Sequence, residues 1–244
     1  MIAMLARLRR PAATPRPRGF ASAGASHVGR VRRVNEDRIL DRPDRGLWAV
    51  ADGMGGLARG DAAAQLAIDA LAELAGRPGR IDADAITTAL ARADRRLRAG
   101  EGGGTTIVVL LAEGDLATIL WAGDSRAYRL AGAVPMRLTR DHSLVAELVE
   151  AGLVAPADAD SHPQSNVVTR ALGAGDPGAI EVRRISFAPG DRFLLASDGC
   201  YRSLAPGDAP ATLGAAACAD RLVANAVARD GSDNASCVVV ERVR

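Results

Sequence analysis

Five short acidic motifs in this 244-residue chain share one arrangement. They are Asn35-Glu36-Asp37, Asp52-Gly53, Gly123-Asp124-Ser125, Ser197-Asp198-Gly199 and Ser232-Asp233-Asn234. Each puts an acid beside small residues, where an apolar run gives way to a loop. Acids from different strands can then meet at one end of a sandwich. Carboxylates held together raise one another's pKa unless a cation intervenes. A cluster of them therefore implies a metal, and hard oxygen donors imply Mg²⁺ or Mn²⁺. Asp52 follows the wholly apolar run 47–51 and precedes Gly53, Gly55 and Gly56, which leave backbone carbonyls bare. Taken alone, Asp52-Gly53 reads more simply as a turn after a strand. The other acids decide between these readings.

The segments that must position these acids are legible as alternating blocks. Residues 20–26 read as an edge strand, with further strands at 38–40 and 47–51 joined by the Arg42-Pro43-Asp44 turn. Residues 61–75 carry Leu66, Leu71 and Leu74 at helical spacing, ahead of Gly76 and Pro78. Residues 82–99 repeat that pattern, acidic early and basic late, as a helix dipole favours, until Gly102–Gly104 breaks it. Residues 105–112 and 116–122 read as a hairpin, and so do 127–130 and 136–139. A short helix is expected at 143–151, irregular chain at 152–178, and strands at 180–187 and 192–196 around Pro189-Gly190-Asp191. A helix within 209–229 and a strand at 235–243 complete the set. Strands and helices in blocks, rather than in strict alternation, favour antiparallel pairing with helices packed outside.

Composition narrows the class. Hydrophobic residues make up 48% and charged residues 25%, enough apolar matter for a sizeable core. The net charge of +2 is uneven: Arg7, Arg9, Arg10, Arg16 and Arg18 crowd the first eighteen residues, and the rest is slightly acidic. That argues against a nucleic-acid face on the body. Residues 1–19 read as a mobile Arg- and Pro-rich tail, and 20–244 as a single domain. Cys200, Cys218 and Cys237 lack metal-ligand spacing and suit reduced thiols, and no run is long enough to cross a membrane. A cytoplasmic protein is expected.

The ordered set of motifs resembles the metal-dependent Ser/Thr protein phosphatases of the PP2C type (PPM), in their compact bacterial form. It comprises Gly29-x-Val31-Arg32-x-x-Asn35-Glu36-Asp37, Asp52-Gly53-Met54-Gly55-Gly56, Gly104-Thr105-Thr106 and Gly123-Asp124-Ser125-Arg126-x-Tyr128. It continues with Leu138-Thr139-x-Asp141-His142-Ser143, the stretch 166–173, Ser197-Asp198-Gly199 and Asp233-Asn234. The resemblance implies an α+β fold of four layers, α-β-β-α, with a central antiparallel β-sandwich flanked by helices. It implies two Mn²⁺ or Mg²⁺ ions at one end, with a third weaker ion in bacterial members. Asp52 would bridge two ions, with the Gly53 carbonyl on one. Asp198 and Asp233 would hold the second, and Asp37, with Glu36 nearby, would ligate directly or through water. Asp124 would help Asp198 hold the third, and Arg32 would grip the substrate phosphate. Asp52, Asp198 and Asp233 are thus the catalytic set, and residues 144–178 resemble a flap beside the site.

The implied reaction is in-line attack on phosphoserine or phosphothreonine by a water bridging the two ions. The implied partners are a phosphorylated protein and a cognate bacterial Ser/Thr kinase, both met in trans. A monomer is expected, with no nucleic-acid or membrane partner and no fused kinase, sensor or anchor. Relatives of this texture include phosphatases tied to type VI secretion. The competing reading is a catalytically weak regulator that binds phosphoproteins. One departure concerns the proton for the leaving group: where many relatives carry a histidine in or after the glycine turn, this chain has Met54 and Leu57. His162 falls in the flap-like stretch, whereas His142 reads as structural and His27 as surface. Trp48, Trp121 and Tyr128 read as core, Cys200 as a small core residue, and Arg126 as the partner of a buried acid.

Overall fold

The computed structural model describes residues 19–54, 59–101, 103–159, 162–175 and 180–243. The expected tail, apart from Gly19, lies outside these residues, as do Gly55, Gly56, Leu57 and Gly102.

The strands are β1 (Phe20–His27), β2 (Asp37–Arg42), β3 (Leu47–Asp52), β4 (Ile107–Glu113), β5 (Leu116–Ala122), β6 (Arg126–Arg129) and β7 (Met136–Arg137). They continue with β8 (Arg170–Ala171), β9 (Ala174–Gly175), β10 (Glu181–Ser186), β11 (Arg192–Ala196) and β12 (Ala235–Arg242). The helices are α1 (Gly60–Gly76), α2 (Ala83–Arg96), α3 (Leu144–Glu150), α4 (Asp198–Tyr201) and α5 (Ala215–Arg229).

Two antiparallel sheets form the centre, in the orders β1-β12-β11-β6-β7 and β10-β5-β4-β3-β2. Strand alternation divides the apolar runs between three cores. In β3, Trp48 and Val50 point into the space between the sheets, while Leu47, Ala49 and Ala51 point outward. The outward side chains meet Ala64, Ile68 and Leu71 of α1 and Ile86 and Leu90 of α2. In β12, Val238 and Val240 face inward, and Cys237 and Val239 pack with Cys218 and Leu222 of α5. Antiparallel sheets commonly leave one face wet. Here helices cover both outer faces, which is why residues 47–51 of β3 and 237–240 of β12 are unbroken apolar runs and why the layers are α-β-β-α.

Local signals fix the ends of the elements. The Asp82 side chain accepts from Ala85 N at the start of α2, and the Ser143 side chain accepts from Ala146 N at the start of α3. Trp48 and Trp121 are buried, and so are Tyr128 and all three cysteines.

The strands expected around Pro189-Gly190-Asp191 are present but do not pair with each other: β10 pairs with β5, whereas β11 pairs with β12 and β6. The turn instead carries the chain from one sheet to the other. The helix expected within 209–229 is α5, Ala215–Arg229, which follows Pro210 and Gly214. A short helix, α4, opens at Asp198 where none was expected.

The inter-sheet core should bear the stability of the sandwich. Leu110 is fully buried within it. Leu110→Ala should cost about 2–5 kcal/mol by transfer and cavity formation. Chemical denaturation measures this, and a loss below 1 kcal/mol would show that the layer repacks freely.

Candidate active site

The strand ends deliver the acids to one place. Asp37 opens β2 and lies directly opposite Asp52 at the close of β3. Asp198 follows β11 as the first residue of α4, and Asp233 lies just before β12, the neighbour of β11 in the other sheet. Asp124 sits in the turn between β5 and β6, and Glu36 precedes Asp37.

Close backbone packing sets this geometry. A Cβ on Gly53 would lie 2.3 Å from the Gly60 carbonyl oxygen, so the start of α1 presses on the end of β3. A Cβ on Gly199 would lie 2.1 Å from the Asn234 carbonyl oxygen, so α4 is seated on the loop that carries Asp233. The glycines after Asp52 and Asp198 therefore hold the two halves of the cluster together. The Gly104-Thr105-Thr106 stretch supports Asp52 from behind. Thr106 N and Thr105 Oγ1 each donate to the Asp52 carbonyl at 2.9 Å.

The carboxylates feel one another strongly. Burial pushes Asp52 well above the usual range, and Asp37, Asp198, Asp124 and Asp233 push it further. Burial raises Asp37 to about 7, opposed by hydroxyls of Ser236 and Ser197 and reinforced by Asp198 and Asp233. Asp124 is likewise raised to about 7 by burial and by Asp198 and Asp141. Asp198 is raised by burial, against which Arg202 pulls it down. Glu36, at the rim, is raised by burial and lowered by Arg32.

A hard divalent ion fits this donor set. The donors are oxygens throughout, and Asp37 Oδ1 is a buried acceptor with no hydrogen-bond partner. Its sister Oδ2 accepts from Ser197 Oγ at 2.8 Å, which orients the free oxygen. The acids converge without forming a finished cage. Among the described residues, no group of three or more His, Cys, Asp or Glu is already arranged to hold an ion. The residues that could hold one are Asp37, Asp52, the Gly53 carbonyl, Asp198 and Asp233, with Asp124 beside Asp198 and Glu36 at the edge.

Arg32 reaches the same end of the molecule, where its Nη2 donates to Asp233 Oδ2 at 2.8 Å. The pair is partly exposed, so it opens at little cost. Arg126 binds Asp141 through Nε and Nη2, the structural role expected of it. His142 is also structural: it is buried, stacks on Trp121, and accepts from Gly123 N through Nδ1 while Nε2 meets Glu181. His162 Nδ1 accepts from Gln164 N and His27 Nδ1 from Gly29 N, both local contacts.

One cation escaped the sequence reading. Arg202 Nη2 lies 3.2 Å from Asp198 Oδ2 and donates to Asn166 Oδ1 at 2.6 Å, tying the acids to the segment over them. Its i,i+4 spacing from Asp198 becomes a signal only once α4 is known to be helical.

The comparisons agree with this geometry. The model of the Protein phosphatase 2C family matches residues 23–232. The Ser/Thr protein phosphatase PstP of Mycobacterium tuberculosis is 35% identical over 238 residues, 91% of this chain and 45% of that protein. The Ser/Thr phosphatase stp of Listeria innocua is 31% identical over 233 residues, 88% of this chain and 92% of its own. Among solved structures, PppA, described as a key regulatory component of the T6SS in Pseudomonas aeruginosa, has a TM-score of 0.81 at 38% identity, covering 92% of this chain and 98% of that one. The PstP catalytic domain in complex with two manganese ions gives 0.81 at 31% identity, covering 93% and 99%. The chain belongs to the protein phosphatase 2C family, and it spans less than half the length of the mycobacterial relative.

A stability test follows from the acids. Unfolded carboxylates release their protons near pH 4, whereas Asp37 and Asp124 hold theirs to about 7 in the folded, metal-free protein. The folded state then binds more protons, so this contribution is full below about pH 4 and is lost as pH rises toward 7. A divalent ion that replaces the protons should restore it. Mn²⁺ should therefore raise the melting temperature slightly at pH 5 and markedly at pH 8. A shift independent of pH would remove the acids from the binding site.

Proposed function

We infer that this chain is a metal-dependent Ser/Thr protein phosphatase, with residues 20–244 acting as one phosphatase domain. The observation that carries this reading is the set of close carboxylates, from five different strand ends, on a protein phosphatase 2C fold. Bound Mn²⁺ or Mg²⁺ would supply an activated water and neutralise the charge that develops at phosphorus. Asp37, Asp52, the Gly53 carbonyl, Asp198 and Asp233 would hold two such ions, with Asp124 available toward a third. The two manganese ions of the PstP complex support that number. Ser197 would orient Asp37, and Thr105 and Thr106 would fix Asp52. Arg32, released from Asp233, would take the phosphate oxygens with its planar fork.

The substrates would be phosphoserine and phosphothreonine on proteins, placed there by a Ser/Thr kinase that acts in trans. Likeness to PppA supports a regulatory place in a secretion system. The protein would work as a monomer in the cytoplasm; no helix among the described residues is long and apolar enough to cross a membrane.

Hydrolysis of an aryl phosphate and a phosphothreonine peptide, with and without Mn²⁺, tests the reading. Turnover should depend on Mn²⁺ and fall roughly 100-fold or more in Asp198→Asn. Equal rates without metal, or an unaffected variant, would exclude it. Bound metal with no turnover of either substrate would instead favour the phosphoprotein-binding reading. Arg32→Ala should raise KM for the peptide about tenfold through loss of charge-assisted hydrogen bonds to phosphate. An unchanged KM would end the phosphate assignment.

A further inference from the structure

A cleft of about 530 Å³ opens beside the acids, between the β6–β7 region and α3. Arg202 belongs to both places: it pairs with Asp198 on one side and lines the cleft on the other. Among the described lining residues, Arg126, Arg137 and Arg140 stand against Asp141 and Glu150, and Arg202 stands against Asp198 outside the cleft. Its floor is apolar, formed by Val145, Val149 and Tyr201.

The arginines are not equally committed. Arg126 is nearly buried, stacks over Tyr201 and holds Asp141 bidentately. Arg137 shares that same carboxylate and is about one third exposed. Asp141 thus has two guanidinium partners for one charge. Arg140 meets only part of its charge in Glu150, because both side chains are more than half exposed and such pairs are weak. Arg137 and Arg140 can therefore turn to an incoming anion without stranding a buried charge.

We propose that this cleft is a second anion subsite, which takes a carboxylate or phosphoryl side chain on the phosphoprotein close to the residue being dephosphorylated. The proposal deepens the phosphatase reading and rests on it. The phosphate under attack lies at the acids, Arg202 marks the boundary, and the neighbouring peptide residue enters the cleft over Val145 and Val149. An anionic side chain satisfies Arg137 and Arg140, while its methylene or backbone portion covers the apolar floor. A neutral side chain leaves the arginines as they are and gains only the floor. Selection is therefore for acidic or multiply phosphorylated sequences, and it weakens as salt screens the exposed partners.

The test uses the full chain with Mn²⁺ and three phosphothreonine peptides: neutral flanks, glutamate flanks, and a second phosphothreonine. The wild type should favour the two anionic peptides over the neutral one by roughly tenfold in kcat/KM, the size of a charge-assisted contact. The glutamate and phosphothreonine peptides separate a carboxylate from a phosphoryl preference. In R137A/R140A the preference should collapse toward unity, and R137K/R140K should recover part of it. Asp141 keeps Arg126 in both variants, so its buried charge stays paired. No preference in the wild type, or the same preference in R137A/R140A, overturns the subsite. Failure of the phosphatase reading looks different: the wild type then turns over none of the peptides and no aryl phosphate. In that event, fluorescence anisotropy of a labelled glutamate-flanked peptide decides. Binding lost in R137A/R140A upholds the subsite, and equal binding overturns it.

Discussion

The structure depends on holding like charges together. Asp37, Asp52, Asp124 and Asp198 sit where water cannot screen them well: Asp37, Asp124 and Asp198 raise Asp52, and Asp198 also raises Asp37 and Asp124. No set of exposed loops could sustain that. The acids stay in place because the backbones behind them cannot move apart. Gly53 is pressed against Gly60, and Gly199 against Asn234, at distances that leave no room for a side chain. The sandwich and its helices hold these backbones in contact. The repulsion is relieved by protons at low pH or by a cation at higher pH, so the same closeness that raises the pKa values gives affinity for hard ions.

Around this cluster the remaining polar groups fall into two kinds. Some are fixed: Ser197 on Asp37, Thr105 behind Asp52, Arg126 on Asp141. Others are only lightly held, among them Arg32 on Asp233 and Arg140 on Glu150. The fixed group defines geometry, and the loosely held group can exchange its partner for a substrate oxygen. An enzyme that handles phosphorylated proteins needs both, since positioning demands rigidity and capture demands arginines that are not already satisfied.

The fold layers and the acids were legible because both are local signals. Residues 47–51 announce a strand buried on two faces, and Asp52-Gly53 announces a charged strand end. What stayed hidden was what depends on partners far along the chain. The turn at Pro189-Gly190-Asp191 looks like any hairpin turn, and only pairing with β5 and β12 shows that it changes sheets. α4 spans four residues, too few for a 3.6-residue period to register, so Arg202 could not be placed beside Asp198. The three acidic loops that follow β5, β11 and α5 were visible, but their supporting contacts, such as Ser197 with Asp37, join positions 160 residues apart.

The pairing of β1 with β12 has a consequence for how the molecule comes into being. Ser26 meets Ser236 across 210 positions, and β12 lies between β1 and β11. One of the two sheets therefore lacks its second strand until synthesis has passed residue 242. Asp37 and Asp52 emerge from the ribosome well before Asp198 and Asp233. The nascent chain consequently lacks a complete acid cluster until residue 233 has been made. Topology alone keeps a half-made chain from assembling the acid cluster, at the cost of slow, long-range closure.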